Sequence, residues 1–89
     1  MKYEIALAKG FKKGFKKLNS KDKELVMQVL ARLANDEILE PKYNDHALQG
    51  RLKDCRDCHI KPNLVLIYQK KDDVLELLAL DIGSHSEVF

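Results

Sequence analysis

The chain has 89 residues, 45% hydrophobic and 34% charged, with a formal net charge of +2 and two cysteines. That is enough for one small domain with one modest core, and it excludes a disordered, fibrous or multidomain chain. No run reaches the roughly 18 uninterrupted apolar residues of a membrane span, and Glu4 and the lysines after it interrupt any signal-peptide core, so a cytoplasmic protein is expected.

Residues 2–8, KYEIALA, are short, apolar and strand-like. The period then changes. Phe11, Phe15 and Leu18 fall at i, i+4 and i+7, which predicts a helix over 9–19. Lys9, Lys12, Lys13, Lys16 and Lys17 form a second face of that helix, while Gly10 and Gly14 weaken it. Ser20 is the expected N-cap of a second helix over 21–35, with Asp22 and Glu24 in its first turn. Leu25, Val26, Val29, Leu30 and Leu33 form its apolar stripe.

Residues 35–50 lack a period and contain Pro41 and Gly50, so they read as a long loop. The remainder reads as sheet. Residues 51–60 form a polar, exposed strand; 64–69 (LVLIYQ) a continuous apolar strand; 74–80 (VLELLAL) another. DIGSHSEVF reads as a turn and a short C-terminal strand. The expected order is β-α-α-β-β-β-β in a single α+β domain spanning 1–89, with two helices on one face of an antiparallel sheet.

The stretch CRDCH, 55–59, has the spacing of a c-type haem attachment motif. On a strand, residues 55, 57 and 59 point one way and 56, 58 and 60 the other. Cys55 and Cys58 therefore diverge, which suits neither a shared metal nor a disulfide. They are expected to be reduced, partly buried thiols, with no haem, zinc or other cofactor. The three histidines remain. His46 follows Asn44-Asp45, His59 ends a strand beside Arg56, and His85 follows Gly83-Ser84. None lies inside a predicted helix, and all three are candidates for one site.

EPKYNDHALQG, RDCHIKPNLVLIY and GSHSEVF together resemble the YafQ-type branch of the RelE/ParE superfamily of bacterial toxins. The resemblance is dense over 38–89 and thin over 1–35. It implies the β-α-α-β-β-β-β fold and a ribosome-dependent mRNA endoribonuclease, the toxin of a type II toxin–antitoxin system. It implies an antitoxin, the ribosome and mRNA as partners. It carries the family's catalytic positions onto His46, His59, Asn63, His85 and Phe89, with His85 as general acid and His46 or His59 as base or phosphate contact.

Such chemistry needs a base for the ribose 2′ proton, an acid for the leaving 5′-oxygen and a cation for the phosphoryl oxygens. Imidazole suits both proton transfers. Arg51, Lys53, Arg56 and Lys61 are the candidate phosphate contacts. Lys9, Lys12, Lys13, Lys16 and Lys17 are the candidate ribosomal-RNA contacts.

Two positions depart from the family. Asn63 stands where an aspartate is usual, and an amide cannot accept a proton. Asp81 stands where an arginine is common. Losing such a donor costs about 3–4 kcal/mol of transition-state stabilisation. The alternatives are a weakened or inactive relative that still binds antitoxin or ribosome, and a ParE-like gyrase inhibitor, which does not need the histidines.

Overall fold

A computed structural model describes all 89 residues. The elements are β1 (Glu4–Leu7), α1 (Lys9–Lys16), α2 (Ser20–Ala34), β2 (His46–Ala47), β3 (Arg56–Lys61), β4 (Leu64–Lys71), β5 (Glu76–Gly83) and α3 (His85–Val88). Two 3-10 turns, Pro41–Tyr43 and Gly50–Leu52, flank β2. The sheet order is β1-β5-β4-β3-β2. Pairing is antiparallel except between β1 and β5, which run parallel, so the five-stranded sheet is mixed.

The core forms because α1 and α2 lay their apolar stripes on one face of the sheet. Phe11 is fully buried and stacks on Phe15, with ring centroids 5.4 Å apart. Val26, Val29, Leu30 and Leu33 of α2 meet Cys58, Ile60, Leu66, Tyr68, Leu77 and Ala79 of the sheet. Val65 and Ile67 are equally buried but alternate to the reverse face. There α3 packs on β4 and β5. Both faces of β4 are thus covered where LVLIY lies, which explains an apolar run without alternation.

Several expectations are corrected. The N-cap of α2 is Asn19, not Ser20; its side chain accepts from Asp22 N–H at 2.8 Å. β3 begins at Arg56, and Asp57, Cys58 and Ile60 in it are buried, so it is not an exposed strand. The loop over 35–50 contains β2, a two-residue strand pairing His46 with Asp57. The C-terminal segment is a helical turn, not a strand. Ser84 starts it, and Glu87 returns a carboxylate to the Ser84 N–H, forming a capping box.

Gly10 and Gly14 let the α1 backbone approach the edge of β5 left open beyond β1. A Cβ built on Gly14 would lie 2.2 Å from the Ile82 carbonyl oxygen; one on Gly10 would lie 3.2 Å from that of Leu80. Glycine to alanine inside a helix normally stabilises by about 1 kcal/mol. Here the sign reverses at Gly14. Gly14→Ala is expected to destabilise by about 1–3 kcal/mol through overpacking, read as a lower urea midpoint. A raised midpoint would mean that α1 does not seat on β5 as described.

Candidate active site

The site is built on the reverse face of the sheet. β2 sets His46 opposite Asp57, and two residues further along β3 the same face carries His59. The cross-strand row continues from His59 to Val65 to Gly83. α3 rests directly on Gly83: a Cβ there would lie 3.1 Å from Glu87 Oε1 and 3.5 Å from Val88 Cγ1. His85, two residues beyond Gly83, is the first residue of α3. Two strand spacings, about 10 Å, separate the backbones of His59 and Gly83. All three histidines therefore belong to one end of one sheet face.

Asp57 is the group that sequence reasoning missed. It is 3% exposed and the only buried charged residue in the chain. Its Oδ1 lies 3.2 Å from His46 Nδ1 and 4.0 Å from His59 Nε2. Neither contact has hydrogen-bond geometry, so Oδ1 is buried without a donor. A buried carboxylate in that state is costly, and its negative field is strong because water is excluded. His46 Nδ1 instead lies 2.7 Å from the Asn44 carbonyl oxygen. That contact assigns the proton to Nδ1 and leaves Nε2 free to accept another. Asn44 reaches this position with a left-handed backbone (φ 46°), which asparagine tolerates better than most residues.

The C-terminus closes the site. The Phe89 ring tilts against His85, with centroids 4.7 Å apart. Phe89 and Val88 face Gln49, Arg51 and Leu52 across a groove of about 540 Å³. Asn63 lines a separate cleft of about 410 Å³ with Lys17, Lys61, Ser84 and Glu87. Asp81 pairs with Ile67, which pairs with Asp57, so it stands in the Asp57 row. Its Oδ1 accepts from Ile82 N–H at 2.9 Å.

The candidate cations do not share one place. Arg51 and Lys53 are exposed at the second 3-10 turn, and Arg51 shares its groove with Phe89. Arg56 alternates to the opposite face from Asp57 and His59. There its Nε donates to Asp45 Oδ1 at 3.2 Å, and the Tyr68 hydroxyl donates to the same oxygen at 2.6 Å. This triad anchors the segment leading into His46, so Arg56 stands in the scaffold behind the histidines. Lys61 reaches back to α2 and pairs with Asp22 at 3.0 Å. Lys9, Lys12, Lys13, Lys16 and Lys17 are all exposed, and none joins an ion pair.

Both cysteines are buried and free. Burial pushes the Cys58 thiol up to about 12 and raises Cys55 as well, so neither supplies a thiolate nucleophile at neutral pH. No cluster of three or more histidine, cysteine or carboxylate side chains is set to hold a metal ion.

A family model described as the bacterial toxin of type II toxin–antitoxin system, YafQ, matches residues 3–89. The chain belongs to the YafQ family. The mRNA interferase toxin YafQ of Escherichia coli K12 is 34% identical over 70 residues, covering 78% of this chain and 74% of that protein. A YafQ-named protein of Haemophilus influenzae is 47% identical over 51 residues, 55% of this chain and about half (50%) of that protein. Among solved structures, a copper-bound mutant toxin from Helicobacter pylori is 44% identical with a TM-score of 0.88, over 98% of this chain and 99% of that one. The E. coli DinJ–YafQ toxin–antitoxin complex is 28% identical with a TM-score of 0.83, over 100% and 99%. These likenesses agree with the α+β domain and its five-stranded sheet.

Proposed function

We propose that this chain is the toxin of a type II toxin–antitoxin pair and cleaves mRNA on the ribosome by histidine acid–base catalysis. The name carried by its E. coli relatives supports mRNA as the substrate. The observation that carries the mechanism is Asp57, buried between His46 and His59 on the face that also bears α3.

The proposed reaction uses these positions as follows. The ribose 2′-oxygen attacks the adjacent phosphorus and the bond to the 5′-oxygen breaks. His46 Nε2 takes the 2′ proton. The imidazolium so formed sits beside Asp57, which stabilises its charge. His59, on the other side of Asp57, contacts the phosphate. His85 donates a proton to the departing 5′-oxygen. Phe89, against the His85 ring, offers an aromatic face for a base to stack on. Arg51 is the cation that shares the groove with Phe89. No step draws on Asn63 as a base.

The ribosome and the antitoxin both fit the lysine face of α1. Five exposed, unpaired lysines give a strong field for phosphate. YafQ of E. coli assembles with the antitoxin DinJ; an acidic segment of a cognate antitoxin is expected over the same surface here. Lys12→Gln with Lys16→Gln should weaken ribosome binding and lower the slope of log affinity against log salt by about one to two units. An unchanged slope would remove this face from the interface.

Ribosome dependence is tested by giving the purified toxin the same mRNA free and on programmed ribosomes. Cutting is expected only on ribosomes; equal cutting of free RNA would overturn the dependence. Asp81 favours a second reading, a toxin that binds but cuts slowly, because it sets a second carboxylate in the Asp57 row. In that case ribosomes are bound without being cleaved, and Asp81→Arg restores rate.

A further inference from the structure

α3 carries His85 and ends against Phe89, two of the groups assigned above, yet it is a single turn of four residues. A helix this short is not stable by its own hydrogen bonds, because nucleation costs more than one turn returns. Its backbone makes only three closing bonds: Glu87 N–H and Val88 N–H to Ser84 O, and Phe89 N–H to His85 O. Something else must hold it against the sheet.

Glu87 has the geometry to do so. Its Oε1 accepts from the Ser84 N–H at 2.8 Å, which satisfies a donor at the start of the turn. To reach that donor the side chain crosses over Gly83, where an added Cβ would crowd Glu87 Oε1 at 3.1 Å and Glu87 Cβ at 3.3 Å. Gly83 belongs to the row that runs through Val65 to His59. The third residue of α3 thus caps the start of the turn and lies over Gly83, the β5 end of the histidine row. The bonds to Ser84, aided by Lys17 across the cleft, also hold Glu87 below the usual carboxylate range. A depressed value means that the link is complete above the ordinary carboxylate range and is lost only as pH falls through the depressed value.

We propose that Glu87 is a positioning residue: its carboxylate latches the C-terminal turn onto Gly83 and thereby sets His85 and Phe89 against the histidine row. The proposal rests on the reading of His85 and Phe89 as substrate-side groups, and it is separable from that reading in the test. Glu87 acts by accepting a hydrogen bond. Glutamine also accepts one at this position of a capping box, whereas alanine does not.

The experiment is a comparison of wild type, Glu87→Ala and Glu87→Gln with two readouts. The first is NMR of the His85 ring protons, which sense the Phe89 ring. In Glu87→Ala they are expected to move toward the values of an unstructured chain, while those of His46 and His59 stay in place. In Glu87→Gln they are expected to keep the wild-type values. The second is cleavage on programmed ribosomes. Glu87→Ala is expected to lower kcat about fivefold or more, in keeping with the loss of a helix cap, with KM for ribosomes unchanged. His85 resonances unmoved in Glu87→Ala would overturn the latch. So would a Gln variant as impaired as the Ala variant, since charge rather than hydrogen bonding would then matter. If the wild type cleaves nothing, the nuclease reading fails, but the NMR comparison still decides the latch.

Discussion

His85→Ala is expected to lower the single-turnover cleavage rate on programmed ribosomes by about 10²–10⁴-fold, the usual worth of a general acid. The leaving 5′-oxygen would depart without a proton, and no other group on α3 can supply one: the turn otherwise holds Ser86, Glu87 and Val88. Ribosome affinity should hardly change, because the lysine face of α1 is untouched. His85 is exposed, so the variant should fold and melt like the wild type. A rate within tenfold of wild type would assign the acid elsewhere.

Asp57→Asn is expected to separate rate from stability. The amide keeps the shape but not the charge. Without the negative field between His46 and His59, the imidazolium formed on proton abstraction loses its stabilisation. The rate should fall by roughly 10²-fold. Stability should hold or rise, because a buried carboxylate oxygen without a donor is a liability that an amide reduces. A matched pair of measurements decides it: cleavage rate and urea midpoint for the same protein. A loss of stability with an unchanged rate would make Asp57 a structural residue only.

The parts of this site differ in how legible they were. The two helices and the β4 strand follow from apolar spacing, and Phe11, Phe15 and Val29 stand where that spacing put them. Strand alternation set residues 57 and 59 on one face and Arg56 on the other. The same alternation separates Arg56 from His59 and so from the phosphate contacts. Asp57 lay in plain view inside CRDCH, but its burial depends on β2. Two residues are too few to show a period, so the pairing of His46 with Asp57 left no trace in the pattern. The parallel pairing of β1 with β5 is equally silent, since periodicity carries no strand direction.

Two signals were present alongside competing ones. Ser84-His85-Ser86-Glu87 is the capping-box pattern of a helix start, which outweighs the strand-like ending of the segment. The i, i+4 spacing of Gly10 and Gly14 lowers helix propensity but has a second meaning. It marks the side of α1 that touches the β5 backbone. In both cases local preference and tertiary contact must be read together.

The end groups of the cleaved mRNA test the central claim most directly. Histidine-catalysed attack by the 2′-oxygen leaves a 5′-hydroxyl on the downstream fragment and a 2′,3′-cyclic phosphate, or its opened 3′-phosphate, on the upstream one. Fragments from programmed ribosomes would be mapped by primer extension and then tested for labelling by a kinase without prior phosphatase. The account predicts direct labelling of the downstream fragment, and no cut when the nucleotide before the scissile phosphate is 2′-deoxy. A 5′-phosphate on that fragment, or undiminished cutting of the 2′-deoxy substrate, would contradict it.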